Sequence, residues 1–322
     1  MFDVVALTDD HGWWDGKEED ETLLASLATM GLTVHRVSIF NETFDWDSTD
    51  LVILRSAWGK NSYMNTFVLF LDEIDQTRIL LNPRKVLAWQ ANKAVYLMDL
   101  QAAGINIPQT IIYDPWGRDY FPSVKDIMKD LNCRRLIVKP QSGNAGTGVE
   151  MITRNNIAEW DEEFVQIERG ADHQVNNNEE KLLGVEEYLI QCYQYQIKTK
   201  GERSLILIAG NVTHAVIKMP AEDNFLVHEG FGGTTELYHP TSEEIAFAEQ
   251  VFHAVTDIVG VLPAYLRVDM IYDNDNKLAL MELAAGTAHL WLTKHPAAAD
   301  ALATHIQSVL EMNRQPQQQC TQ

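Results

Sequence analysis

The sequence predicts an α/β (α+β) protein built from two or three subdomains. Three observations lead there. Strand and helix patterns alternate at the N-terminus, short apolar β-branched runs dominate from residue 109 onward, and helical periodicity returns near the end of a 322-residue chain that is too long for one small core.

Taken in order, "FDVVALT" reads as a strand, a helix near residues 18 to 30 is closed by Gly31, and "TVHRV" is a second strand. With "DLVILRS" at 50 to 56 this makes a βαβ-type unit. No GxGxxG follows the first strand, so dinucleotide binding has little support. Residues 84 to 103, "RKVLAWQANKAVYLMDLQAA", carry helical spacing as one helix that Gly104 and "NIP" terminate. "QTIIY" begins a second region. The strands "RLIVKP", "GVEMIT", "SLILIAG", "HAVIKMP", "YLRVDMIY" and "KLALMEL" follow, and the polar stretch "ADHQVNNNEEK" reads as a surface loop. Helices are expected at 242 to 259 and 296 to 312, and the tail "QPQQQCTQ" as disordered.

The composition, 46% hydrophobic and 22% charged, is that of a folded globular protein. A net charge of −21 opposes generic nucleic-acid binding while leaving room for a local basic pocket that takes one phosphorylated ligand. No apolar run reaches the ~20 residues of a membrane helix, and "MFDVVALTDD" has no signal-peptide pattern, so a cytoplasmic protein without a membrane partner is expected. Cys133, Cys192 and Cys320 form no CxxC pair and are read as free thiols. A homodimer is the default expectation for any assembly.

Two segments carry chemistry. In "LIVKPQSGNAGTGVEMI" a lysine ends an apolar strand, Gly143, Gly146 and Gly148 follow, and a strand resumes. A P-loop has its lysine after the glycines, so this is a different device: a hairpin whose N–H groups can cradle phosphates beside the Lys139 charge. A flexible hairpin without ligand fits the same letters. In "YLRVDMIYDNDNKLALMELAAG" a tight turn at Asp275-Asn276 would set Asp269 directly opposite Glu282. Like charges so placed destabilise a sheet unless a cation lies between them, and magnesium suits two carboxylates with phosphates. Pairing of one acid with Arg267 or Lys277 is the competing reading.

Taken together, these motifs resemble the ATP-grasp superfamily, in its glutathione-synthetase-like branch. The similarity runs through "RSAW" (55 to 58), "LLNP" (80 to 83), "WQANKAVYL" (89 to 97), "VKPQSGNAGTGV" (138 to 149), "GERSLILIAGNVTHAVIKMP" (201 to 220), "GG" (232 to 233), "RVDM" and "MEL". It implies an ATP-grasp fold with an N-terminal Rossmann-like pre-ATP-grasp domain. The units would be 1–88 (substrate), 89–190 (glycine lid), 191–312 (metal site) and a tail, 313–322.

The resemblance also implies roles. Lys93 and Lys139 contact phosphates, and Ser142, Gly143, Gly146 and Gly148 form the lid. Gln191, Cys192 and Tyr193 are the hinge that reads adenine, and Glu202 holds the ribose. Asp269 and Glu282 bind Mg2+, Lys218 lies beside the transferred phosphate, His214 is the best placed of the histidines to act as a base, and Arg55 and Trp58 face the substrate. His11, His228 and His289 are further base candidates, and Trp13 and Trp14 could line an acceptor pocket. Leu226 stands where relatives carry a phosphate-stabilising arginine, and Ala284 where they carry another metal ligand, for which Asn224 is a substitute candidate.

The activity so implied is ATP-dependent joining of a small-molecule carboxylate to an amine through an acyl phosphate. A degenerate nucleotide-binding protein and a small-molecule kinase are the alternatives. No Ser-His-Asp or Cys-His context is present, and the acid and the amine are unspecified.

Overall fold

The computed structural model describes residues 1–8, 17–57, 64–117, 122–143, 146–177 and 187–314. The N-terminal unit contains β1 (Phe2–Thr8), α1 (Lys17–Thr29), β2 (Val34–Ser38), β3 (Thr49–Leu54), α2 (Met64–Thr77) and β4 (Ile79–Leu81). Its strands form a parallel sheet in the order β2-β1-β3-β4, which contains the expected βαβ-type unit and adds α2 and β4, neither of which the sequence reading assigned. The central strands β1 and β3 are covered on both faces, which is why both read as continuous apolar runs.

The helix expected over 84 to 103 is two helices, α3 (Arg84–Gln90) and α4 (Lys93–Ala102). Asn92 is extended, and its side chain accepts the Val95 N–H at 3.0 Å, so a fresh N-cap interrupts the periodic pattern. Lys93 therefore stands in the first turn of a helix rather than mid-helix.

The middle unit holds β5 (Thr110–Tyr113), α5 (Val124–Asp130), β6 (Leu136–Pro140), β7 (Glu150–Ile152), α6 (Ile157–Asn177) and β8 (Tyr188–Cys192). The sheet is antiparallel in the order β5-β8-β6-β7. The sequence reading missed α5 and α6, and the start of the expected polar loop belongs to α6. Phe164 of that helix is buried with Trp160 and Ile167 packed beside it, so a sparse apolar stripe is enough to seat a largely polar helix.

The last unit comprises α7 (Ile197–Lys200), β9 (Glu202–Ile208), β10 (Asn211–Met219), β11 (Thr234–Tyr238), α8 (Ser242–Val259), β12 (Tyr265–Tyr272), β13 (Leu278–Ala284) and α9 (Pro296–Arg314). Its antiparallel sheet runs β11-β10-β9-β12-β13. A Thr241–Glu244 capping box starts α8. One core cluster joins Leu302 and Ile306 of α9 to Ile206 and Val216 of the sheet and to Leu23 and Leu27 of α1, so the N-terminal unit and the last unit share a core. A second cluster combines α4, α8 and the other face of that sheet.

The block "LLNP" has a structural reason. Asn82 is fully buried and donates to the carbonyls of Tyr265 (2.8 Å) and Ala285 (2.6 Å), while its oxygen accepts the N–H groups of Ala264 and Tyr265. The Tyr265 hydroxyl lies 2.9 Å from the carbonyls of both Leu54 and Gly286. Asn82→Leu would leave these backbone groups unpaired in a dry junction. A loss of about 3 to 5 kcal/mol in unfolding free energy is expected, read as a lowered urea midpoint, whereas Asn41→Ala on the exposed surface should change it by under about 0.5 kcal/mol.

Candidate active site

The carboxylate pair is present at the expected register, though reached by another route. Near the turn the ladder pairs Tyr272 with Leu278, Ile271 with Ala279 and Met270 with Leu280, and then it shifts so that Asp269 faces Glu282. The turn contains the residues 274 to 276, with Asn276 at φ 63° and Asp273 N–H donating to Lys277 O at 2.8 Å. The expected two-residue turn is thus corrected to a longer one. A bulge that leaves Met281 without a ladder partner compensates by one residue, and the two shifts cancel.

Asp269 is buried, and its carboxylate accepts from Arg267 Nη2 at 2.8 Å, from Arg267 Nε at 3.0 and 3.1 Å, and from Ser204 Oγ at 2.5 Å. Lys218 Nζ stands 3.7 Å away and is also ion-paired with Glu202, its ladder partner on β9. The competing reading is therefore half right: Arg267 does pair with Asp269, because residues two apart on a strand share a face. Burial raises the Asp269 carboxyl, but Arg267 and then Lys218 hold it below the usual range. Burial raises the Glu202 carboxyl against the pull of Lys218, and the Lys218 ammonium is held up by Asp269 and Glu202 despite its own burial.

Glu282 is more open, with its side chain 37% exposed and 3.4 Å from Lys93 Nζ. Lys93 also donates to the Gly143 carbonyl, which ties the first turn of α4 to the glycine loop. Lys139 reaches the Met281 carbonyl at 3.5 Å. Burial depresses the Lys139 ammonium to about 8, with Glu282 opposing and the nearby Lys93 adding to the fall. Lys93, Lys139, Gly143, Glu282, Asp269, Lys218 and Glu202 thus form one connected constellation drawn from five strands, a helix start and a loop.

In the loop, a Cβ on Gly143 would lie 2.7 Å from Pro140 Cγ, and Gly146 has φ +78°, so both positions need glycine for geometric reasons. Gly148 follows with a left-handed φ of its own, and Ser142 is partly buried at the loop start. Gly146 packs on Phe231 and Leu226: a Cβ there would stand 3.0 Å from Phe231 Cε2 and 3.5 Å from Leu226 Cδ1. The leucine at the expected arginine position therefore faces the lid with an apolar contact.

Gln191 and Cys192 end β8, and Tyr193 follows it. Gln191 donates to Thr110 Oγ1 at 2.8 Å, Cys192 N–H to Gln109 O, and Tyr193 N–H to Arg135 O at 3.0 Å. The Cys192 and Tyr193 carbonyls accept from the side chains of Gln194 and Asn274. The N–H groups of Cys192 and Tyr193 are consumed by neighbouring strands, so any adenine reading there falls to carbonyl lone pairs and side chains.

Three expectations are corrected. His214 is not placed as a base: it is buried, its Nε2 lies 2.7 Å from the Leu290 carbonyl, its Nδ1 lies 3.0 Å from Thr213 Oγ1, and its ring stacks on His295. Burial lowers its pKa to about 4, so it is a neutral packing residue at neutral pH. Arg55 does not present its guanidinium to a substrate, because it is buried against Glu19 and Asp20 and donates to Ala288 O at 3.3 Å. Asn224 is not open for a metal, since its oxygen accepts the N–H groups of Phe225 and Leu226 and so shapes the loop facing the lid. His289 lies 2.7 Å from Glu19, and His228 Nδ1 accepts the Gly230 N–H. Trp58, His11, Trp13 and Trp14 lie outside the described residues.

Sequence reasoning assigned no role to Ser204 or Trp291 and named Arg267 only as a competing partner for one of the acids. Trp291 adopts a positive φ of 51° and lies 5.7 Å from Lys218 Nζ and 5.6 Å from Arg267 Cζ, so it covers the buried cations. The i, i+2 spacing of Arg267 and Asp269 was the available signal for the arginine.

Asp269 and Glu282 suit magnesium, being hard oxygen donors opposed on one sheet face. Among the described residues no third His, Cys, Asp or Glu completes a larger metal group, so phosphate oxygens and water would supply the other positions. None of the described helices is long and apolar enough to cross a membrane.

Residues 4–82 match the family model of the D-cycloserine synthetase DcsG N-terminal domain. The cycloserine biosynthesis protein DcsG of Streptomyces lavendulae is 24% identical over 197 residues, 61% of this chain and 60% of that protein. The chain superposes on the crystal structure of D-cycloserine synthetase with a TM-score of 0.79 at 22% identity, covering 95% of this chain and 99% of the other. It superposes on D-alanine–D-alanine ligase from Bacillus anthracis complexed with ATP with a TM-score of 0.64 at 16% identity, covering 98% and 99%. For the ATP-grasp ligase PsnB complexed with a precursor variant, Mg and ADP, the values are 0.61, 15%, 95% and 100%. The chain has the ATP-grasp fold and resembles D-cycloserine synthetase.

Proposed function

We propose that this protein is an ATP-dependent carboxylate–amine ligase that forms an amide or peptide-type bond and releases ADP and phosphate. The observation that supports this best is the convergence of Lys93, Lys139, Asp269 and Glu282 beside a glycine loop tied to Lys93. A carboxylate oxygen attacks the γ-phosphorus and ADP departs. The amine then attacks the acyl carbon, phosphate departs, and the amine loses a proton.

Lys139 and Lys93 hold phosphate oxygens, and Ser142, Gly143, Gly146 and Gly148 close over them, excluding water from the acyl phosphate. Lys218 and Arg267 set positive charge beside the group in transfer. Gln191, Cys192 and Tyr193 border the adenine, and Glu202 exchanges Lys218 for ribose hydroxyls. Asp269 and Glu282 would hold Mg2+, which supplies charge neutralisation for the phosphates when bound. Residues 1–88 form the substrate unit, 89–190 the lid unit and 191–312 the metal-site unit. The partners are a small-molecule acid and amine, with no nucleic acid or membrane component, in a cytoplasmic enzyme for which a homodimer is the default assembly.

Lys139→Ala and Glu282→Ala should each lower turnover by about 10² or more, measured as amine-dependent ADP release with a panel of small acids and amines. Wild-type-like turnover in either variant would refute the site, and a stable phosphate ester as product would replace the ligase by a kinase.

The Lys139 ammonium, held near 8 by burial, gains a partner when phosphate binds, so nucleotide binding should draw in a proton. Calorimetry at pH 8 in two buffers of different ionisation enthalpy should show that uptake. Affinity should fall by up to about tenfold per pH unit above 8, as the free ammonium is lost, and stay flat below about 7. Lys139→Arg, always charged, should abolish the uptake.

A further inference from the structure

We propose that the cleft at the end of the β6–β7 hairpin away from the glycine loop is a binding site for a small, multiply charged phosphate compound. It has a volume of about 420 Å³ and is lined by Arg134, Arg135, Thr153, Arg154 and Asn155. That size lies in the range of small-molecule clefts.

The charge distribution identifies the ligand class. The protein carries 46 acidic residues against 25 basic ones, so an arginine has an abundance of carboxylates to meet. Among the arginines with described side chains, Arg36, Arg55, Arg78, Arg84, Arg203, Arg267 and Arg314 each lie within ion-pair distance of one. Arg134, Arg135 and Arg154 have no such partner among the described residues, and all three line this cleft. The ladder ends at the Leu136–Ile152 pair, and Arg134 and Arg135 just before it and Thr153 and Arg154 just after it line the same cleft. Like charges gathered around one cleft repel, and an anion among them reverses the sign.

The local backbone is fixed. Asn156 accepts from Thr153 N–H at 2.7 Å and donates to Met151 O at 3.2 Å, so the turn carrying Arg154 and Asn155 is held before α6 begins. The guanidinium of Arg135 lies 6.0 Å and 5.9 Å from the rings of Tyr193 and Tyr195, which limits its orientations. Guanidinium groups take phosphate oxygens two at a time, and three of them match a pyrophosphate-like dianion or trianion better than one carboxylate. Lys139 stands four residues along β6 from Arg135, about 13 Å at strand rise, so this cleft is separate from the lysines assigned to the ATP phosphates.

The test is calorimetric titration of pyrophosphate into the full chain at an ionic strength of about 0.15 M, with a non-hydrolysable ATP analogue already saturating. A parallel titration of Lys139→Ala protein without the analogue makes the result independent of the ligase reading. The expected result is one additional site with Kd below about 1 mM, weakened at least about tenfold in Arg134→Ala/Arg154→Ala while analogue affinity changes less than about twofold. These positions are exposed, and an unchanged thermal midpoint will show that the variant is folded. Absence of binding, equal binding to the double variant, or displacement of the analogue would overturn the proposal. So would binding of hexaglutamate in place of pyrophosphate, which would make the cleft a peptide site.

Discussion

Buried charge is the constraint on which the rest of the site depends. Asp269 and Glu202 are buried on adjacent strands, and Glu282 faces Asp269 across the next ladder. Three carboxylates so close would not stay ionised without cations, because an unpaired buried charge loses several kcal/mol of hydration. Arg267, Lys218, Lys93 and Lys139 supply those cations from β12, β10, α4 and β6. The elements that meet at the site are thereby held in register by the same charges that a phosphate and a metal would use.

That arrangement continues into the N-terminal unit. Glu19 of α1 accepts the Leu290 and Trp291 N–H groups at 2.8 and 3.0 Å and pairs with Arg55 and His289. Arg267 in turn donates to the His289 carbonyl at 3.3 Å. The segment carrying Trp291 is therefore pinned on one side by the first helix and on the other by the arginine that grips Asp269. Arg55, buried against Glu19 and Asp20, positions this segment through Ala288 O, and the Asn82 junction keeps the end of β4 against the start of β12 and the 285 turn. The N-terminal unit thus helps to set the geometry of charges that lie on the last sheet.

Leu226 and Ala284 acquire a consistent meaning. The lid meets the 224–231 loop through Gly146 on Leu226 and Phe231, an apolar contact at a position where an arginine would place a charge. Under the proposed ligase reading, Ala284 leaves Asp269 and Glu282 as the carboxylates for a metal, and Arg267 and Lys218 are the cations beside them on the sheet.

Much of the fold was legible in the letters. Period-2 and period-3.6 patterns, with Gly31 and Gly104 at helix ends, are local signals, and local sterics and hydrogen bonding determine them. Lys139, Asp269 and Glu282 were singled out by the chemistry their spacing allows and Lys93 by the resemblance, and the structure brings the four together. What the sequence could not specify was set by partners distant along the chain. The polar helix α6 is stabilised by the sheet it covers, the bulge at Met281 decides which acids face each other, and the distant polar partners are Leu290 O for His214 and Glu19, Asp20 and Ala288 O for Arg55. Local preferences can propose such groups as ligands, but only tertiary packing, through burial and the supply of partners, decides which of them are already satisfied.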